Sequence, residues 1–481
     1  MTTLKQIIDL FNGLLWNSVL IYLLIGVGVY FTIRLGFIQF RHFGHMFKVM
    51  KNSRKADKSG ISSFQALCTS LAARVGTGNM AGVAFALTAG GPGAVFWMWL
   101  IAMLGMATAF AESALAQLYK TRDEDGNYRG GPAYYMEKGL GMRWMGVLFS
   151  LFLILAFGMV FNAVQANSIA DAMHQSFGVD AMWVGVALVI LSGVIIFGGL
   201  RKVARTAELV VPVMAIAYLG IAFYVLIANI EQVPGVLAMI VKSAFGWHEA
   251  AAGGLAYTIK QAMLQGIKRG LFSNEAGMGS APNAAASATP YPPHPASQGY
   301  VQMLGVFMDT IVICTATVAI ILMSGEYQPG AEVEGIVLTQ RAMTAHVGSW
   351  GGIFVATAIF FFAFTSIIAN YSYAETNLMF LEHNHKTGLN IFRVVVLVMV
   401  MFGAMSKVQL VWDMADVSMG LMAVVNLIAI ILLSGTVIKL SKDYNEQLRQ
   451  GKVPSFDRSK YPELDELIDE GIWEKKKPTE L

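Results

Sequence analysis

Two glycine-rich stretches carry polar and charged residues inside otherwise apolar runs, and chemistry is most readily done there. The first is Arg74-Val75-Gly76-Thr77-Gly78-Asn79-Met80-Ala81-Gly82. The second, Gly266 to Ser280, includes Lys268, Arg269, Phe272, Ser273, Asn274, Glu275, Gly277, Met278 and Gly279. Each glycine costs about 1 kcal/mol against alanine in a helix interior, so both stretches are expected to interrupt a helix. An interruption frees N–H groups on one half-helix and carbonyls on the other. The N–H end attracts a carboxylate, and the carbonyl end coordinates a small hard cation. Close packing through small residues would explain the glycines, but not Asn79, Asn274 and Glu275 beside them. Other polar groups in apolar surroundings are Thr365-Ser366 with Asn370, the amides Asn162, Gln165 and Asn167, and the carboxylates Glu112 and Asp309. Ionisable groups within membrane spans are expensive and mark function by default.

Composition says which elements must hold these residues. Of 481 residues, 56% are hydrophobic and 14% charged, with a mean hydropathy of +0.56. A soluble domain carries about 25% charged residues. About 20 apolar residues span a bilayer as helix, and eleven stretches qualify: 15–36, 63–89, 94–118, 144–171, 182–199, 208–230, 251–281, 300–324, 350–378, 389–405 and 414–439. Backbone groups in lipid must be paired internally, so helices are expected. Segments 231–247 and 331–347 read as surface helices. Lys and Arg crowd alternate loops, with Arg41 to Lys58 after the first stretch, Lys120 to Arg143 after the third and Arg201 to Arg205 after the fifth. Basic loops face the cytoplasm, which places the N-terminus outside and the C-terminus inside. Met1 to Leu14 has no cleavage site, so the first stretch is expected to be retained as a helix. Residues 441–481 are charged and read as a solvated cytoplasmic tail, and His383 and His385 as a solvated turn. Cys68 and Cys314 read as packed thiols, which leaves no disulfide framework. No nucleotide loop, zinc motif or nucleophile–base constellation appears.

The interrupted stretches are the second and seventh, five apart. An odd number of crossings per repeat inverts the second copy, and paired breaks in inverted repeats point to a transport site at the midplane. The expected architecture is therefore an all-α integral membrane protein of about eleven helices in a five-plus-five inverted repeat, with one extra N-terminal helix. Its parts would be 1–62, then repeats at 63–230 and 231–440, then the tail 441–481.

Specific motifs carry a resemblance. Gly76 to Ala84, Gly90-Gly91-Pro92-Gly93-Ala94-Val95-Phe96-Trp97-Met98-Trp99, Gly130-Gly131-Pro132-Ala133-Tyr134-Tyr135 and Gly270 to Ala281 resemble the signatures of the sodium:alanine/glycine symporter family. The similarity runs from about residue 10 to about residue 445. It implies a LeuT-like fold and an inner-membrane symporter importing alanine or glycine with sodium, with no cofactor, nucleic acid or obligatory protein partner. It also implies that hydroxyls of Thr365 and Ser366 ligate sodium with carbonyls near Ala72 and Val75, that Asn79 marks a second ion position, and that Gln165 receives the substrate's ammonium. Our own reading of the breaks puts the substrate carboxylate at Thr77-Gly78 and adds Asn79, Phe272, Ser273, Gly277 and Met278 as lining residues. Met278, between two glycines, is expected to wall off large side chains. Asp309 and Glu275 keep a proton-coupled carrier as the nearest alternative. A channel or a membrane-embedded enzyme would be the rival classes.

Overall fold

Small residues decide how closely these helices approach. The computed structural model describes residues 2–51, 53–57, 59–198, 200–247, 258–330, 335–382 and 386–474. The helices that matter below are α1 Lys5–Arg34, α2 Ser63–Arg74, α3 Val83–Gly90, α4 Gly93–Leu118, α5 Arg143–Phe177, α6 Ala181–Ile196, α7 Leu200–Ala228 and α8 Val233–Ala244. There follow α9 Ile259–Asn274, α10 Pro282–Ala286, α11 Ala296–Leu322, α12 Ile336–Val347, α13 Trp350–Glu382, α14 Lys386–Met405, α15 Val408–Leu432 and α16 Ser434–Arg449. Among the described residues, eight helices are long and apolar enough to cross a membrane, namely α1, α4, α5, α7, α11, α13, α14 and α15. The sixteen-residue α6, the pair α2/α3 and α9 fall on the other three expected stretches, and α10 begins just beyond the last of these.

Boundaries shift for local reasons. The first helix begins well before residue 15, with its buried Trp16 donating to the Asp416 carbonyl on α15. The eleventh stretch is divided at Leu433, and α16 continues as a separate amphipathic helix. Residues 251–257 of the expected seventh stretch, 331–334 of the expected surface helix, and His383 and His385 lie outside the described residues.

The two interrupted pairs begin alike. Ser62 caps α2 and Thr258 caps α9, each in a capping box with a glutamine three residues on, Gln65 and Gln261. Such a box satisfies two orphan donors reciprocally. α4 packs on α9, α11 and α1, while α5 packs on α13 and α14. Glycine permits the closest approaches. A Cβ on Gly266 would meet the Ala94 carbonyl oxygen at 2.3 Å, and one on Gly403 would meet that of Ala163 at 2.2 Å. In the Gly130-Gly131-Pro132 motif, Gly131 takes φ +139, and a Cβ there would strike Asn283 of α10.

At the end of the molecule bearing the basic loops, the strand β1 Ile61–Ser62 pairs in parallel with β2 Ala288–Thr289. This ties the start of α2 to the segment after α10. Gln117 of α4 reinforces the tie, its side-chain amide donating to the carbonyls of Ala285 (2.5 Å) and Ala288 (2.9 Å). Lys120 donates to Ala288 as well, at 3.0 Å.

The tail differs from the solvated extension that its charge suggests. Phe456, Leu464, Ile468 and Ile472 are buried, and Trp473 donates its indole N–H to the Gln117 carbonyl at 3.0 Å. Asp469 pairs with Lys138 at 2.7 Å and accepts from Thr121. The α-helix here covers only Pro462–Asp465, so Leu464, Ile468 and Ile472 are separate apolar anchors spaced among the charges. Burial drives the Lys120 ammonium down to about 7, and it lies 3.9 Å and 5.1 Å from the ring centres of Tyr128 and Trp473.

Gly403→Ala should push α14 off α5, since overpacking typically costs about 1–3 kcal/mol. A lowered melting temperature in detergent is expected for that variant. Gly435→Ala, with nothing within 4 Å, should melt with the wild type; equal melting of all three would show that the helices separate freely.

Candidate functional site

α2 stops at Arg74 because Val75 turns out of the helical region, with ψ 95. Helical structure resumes at Gly78 in a wide turn and continues into α3. The freed amides do not stay bare: Gly76 donates to the Asn79 side-chain oxygen at 3.0 Å, and Thr77 donates to Gln165 Oε1 at 3.0 Å. Gly76 is confined to glycine by crowding, since a Cβ would sit 2.4 Å from Ser366 Oγ and 2.7 Å from Gln165 Oε1. Gly78 packs against Phe272 and the Ser273 backbone, so the two interruptions touch.

On one side of this break the last carbonyls of α2 face hydroxyls of α13. Ser366 Oγ donates to the Ala72 carbonyl at 2.6 Å and lies 3.5 Å from that of Val75. Thr365 Oγ1 donates to Phe362 of its own helix at 2.9 Å. Hard oxygens at a helix C-terminus, where the dipole is negative, suit a small cation. On the other side lies a second oxygen cluster. Asp309 accepts from Asn79, Ser273 and Thr310, each at 2.7 Å, and Cys314 Sγ lies 3.2 Å from Ser273 Oγ.

Towards the end opposite the basic loops, aromatic rings close over the break. Phe272 contacts Trp412 and Phe161, each pair with ring centres 4.7 Å apart, and Phe85 lies against Trp412 at the same distance. Above them Asp416 takes Arg269 at 2.5 Å and Lys268 at 3.2 Å, and the Arg269 guanidinium also covers Trp412. Of the acidic pair on α15, therefore, Asp416 closes this end, whereas Asp413 accepts from Gln409 one turn away.

The second interruption is held from the other side. Glu275 adopts a left-handed conformation at φ 59 and its carboxylate accepts from Ser280 at 2.6 Å. Glu112 on α4 accepts from the Gly277 amide at 3.2 Å and from Asn426 at 2.8 Å, and Asn426 also donates to the Gly277 carbonyl.

The structure thus gathers Ala72, Val75, Thr77, Gly78, Asn79, Gln165, Phe272, Ser273, Asp309 and Ser366 around the first interruption, whereas the described hydrogen bond of Thr365 stays within α13. Gly277 faces Leu427, Thr108 and Leu24 instead, and no described hydrogen bond joins the fully buried Met278 to Thr77 or Gln165. Asn162 and Asn167 are structural. The former fills a wide turn of α5 and accepts from Asn370, and the latter donates to carbonyls at the end of α14. Sequence reasoning did not single out Trp412, Phe85, Phe161 or Asn426. A bulky ring one helical turn from an acid, as in Trp412 and Asp416, was the available signal.

Residues 1–458 match the Sodium:alanine symporter family. The chain belongs to that family. As a member of the sodium:alanine symporter family it is a transporter rather than an enzyme. It is 52% identical over 455 residues to the probable sodium/glutamine symporter GlnT of Bacillus subtilis (strain 168), covering 94% of this chain and 93% of that one. Identity is 39% over 424 residues with the sodium/proton-dependent alanine carrier protein of Bacillus sp. (strain PS3), covering 85% and 93%. The fold is LeuT-like: the crystal structure of MhsT in complex with L-phenylalanine matches with a TM-score of 0.53 at 14% identity, over 87% of this chain and 95% of that one.

Asp416→Asn leaves Arg269 and Lys268 buried beside a neutral amide. Breaking a buried pair costs about 3–5 kcal/mol, so the aromatic closure should open. In a Cys68→Ala background, a small thiol reagent added from outside should label Cys314 at least tenfold faster in the Asp416→Asn variant. Equal labelling rates would mean that the ion pair does not hold this end shut.

Proposed function

We propose that this protein is an inner-membrane symporter that imports a small neutral amino acid, alanine or glycine, driven by sodium and working by alternating access. The reading rests chiefly on Ser366 of α13 reaching across to the Ala72 and Val75 carbonyls of the broken helix. A sodium ion displacing that hydroxyl hydrogen bond would tie α13 to α2, with Thr365 as a further ligand. The substrate's carboxylate belongs at the Thr77-Gly78 amides, where Gln165 Oε1 now stands in. Gln165 then rotates to receive the ammonium, with Asn79, Phe272 and Ser273 completing the pocket. Cation and substrate share one interruption, so each raises the other's affinity reciprocally.

The same reading counts eleven crossings, with the basic end cytoplasmic and two inverted repeats at 63–230 and 231–440. The matched capping boxes at Ser62 and Thr258, each opening an interrupted pair, support it. Size selection stays assigned to Met278 and Phe272. The GlnT relative makes a longer amide side chain the competitor to test first.

Proton coupling is the second reading. Asp309 favours it, since this carboxylate lies within the Asn79–Ser273 cluster, and the Bacillus sp. relative is named for both ions.

Labelled alanine uptake in proteoliposomes decides between the ions. Thr365→Val and Ser366→Ala should each raise the half-saturating sodium concentration roughly tenfold, and wild-type uptake that persists when choline replaces sodium would end the sodium reading.

Gln165→Ala strips a buried amide partner, a loss of about 1–3 kcal/mol, so alanine affinity should fall about tenfold. Unaltered affinity in a well-expressed variant would assign Gln165 to helix packing. Competition by glycine, glutamine, valine and leucine, in wild type and Met278→Ala, reads the pocket's size limit.

A further inference from the structure

Arg74 closes α2 immediately before the interruption, and its placement is unusual. The residue is 1% exposed, yet Nε, Nη1 and Nη2 have no hydrogen-bond partner in the protein. Such a guanidinium ordinarily takes a carboxylate in a bidentate grip. Three carboxylates from three other elements lie within reach of its charge: Glu275 after α9, Glu112 on α4 and Asp309 on α11. Every one of them is instead held by neutral donors. Glu275 has Ser280, Glu112 has Asn426 and the Gly277 amide, and Asp309 has Asn79, Ser273 and Thr310.

Helix α11 makes room for this arrangement. A Cβ on Gly305 would fall 2.2 Å from Arg74 Nη1, so the guanidinium rests where only glycine leaves space. Asp309 comes four residues after Gly305, about one turn along the same helix. The cation is thus parked one turn from the carboxylate of the Asn79–Ser273–Asp309 cluster, and linked through α2 to the carbonyls facing Ser366.

We propose that Arg74 is a tethered counter-cation of a second coupling-ion position, the Asn79–Ser273–Asp309 cluster. It swings from its place over Gly305 onto the Asp309 or Glu275 carboxylate when the transported cation leaves, and it withdraws when that cation binds. Resting on the sodium-coupled reading above, this assigns Arg74 to the return of the empty carrier. An ionised carboxylate without a counter-charge in a low-dielectric interior is costly, and a tethered charge removes that barrier without consuming a transported ion. Arg74 is a positioning residue here and makes no contact with the amino acid.

The test compares two transport modes of the full-length protein in proteoliposomes. Net sodium-driven alanine uptake requires the empty carrier to return, whereas exchange of internal for external alanine in equal sodium does not. In Arg74→Gln the ratio of net uptake to exchange should fall at least tenfold. Half-saturating sodium measured in exchange should fall several-fold, because a tethered competitor is gone. Arg74→Lys, which keeps the charge, should recover most of the ratio. Gly305→Ala crowds the guanidinium off its resting place towards the carboxylates, so its half-saturating sodium should rise. Opposite shifts in Arg74→Gln and Gly305→Ala are not expected of a residue that merely stabilises the fold.

Equal loss of both modes in Arg74→Gln, or an unchanged ratio with unchanged sodium dependence, overturns the proposal. Should Arg74→Gln fail to accumulate, Gly305→Ala carries the test alone, and an unshifted half-saturation refutes it. Wild-type uptake that ignores sodium overturns the functional reading instead. Normal wild-type coupling with an indifferent Arg74→Gln overturns only this inference.

Discussion

Everything at the centre of this molecule follows from one constraint: peptide groups set free inside a low-dielectric layer must find partners. The turn at Val75 releases two amides and the last carbonyls of α2. Asn79, Gln165 and Ser366 come from three different helices to meet them. Each satisfying group is polar, mobile and replaceable by a ligand atom of like character. A carboxylate can take the place of Gln165 Oε1, and a cation that of the Ser366 proton. Satisfying the break in the absence of ligand therefore creates the affinity for one, and Gly76 is the residue that lets the side chains come close enough.

Closure on the two sides is built from different forces. Stacked rings under a buried ion pair cover the break on one side, with Trp412 shared between Phe272, Phe85 and the Arg269 guanidinium. On the basic end the restraint is backbone pairing, β1 against β2, reinforced by Gln117 and Lys120 on the same run of carbonyls. A rigid α4 touches both devices through α9 and the segment after α10, so neither can loosen without altering its contacts.

Local chemistry was legible in the chain, and long-range contact was not. Gly76-Thr77-Gly78-Asn79 and Thr365-Ser366 announce themselves because each violates the apolar helix around it. Family resemblance then joined Thr365-Ser366 to the carbonyls of Ala72 and Val75. Gly277 was assigned to the same pocket by adjacency in sequence. Once a helix is broken, however, adjacent residues leave in different directions, and Gly277 ends up against Leu427 and Thr108. The grip of Glu112 and Asn426 on the second break spans 314 residues between the two side chains, which no spacing rule encodes. The tail misled because its charges outnumber sparse apolar anchors that only a surface to lie on makes visible.

That tail has a mechanical meaning. Trp473 hangs from the carbonyl of Gln117, whose side-chain amide grips the carbonyls of Ala285 and Ala288. Lys120 lies between the same indole and the same strand. Residues 456–473 are thereby joined, through one glutamine, to the short helix α10 and the strand that follows it. Whatever binds that tail also loads the segment that holds the start of α2 in place.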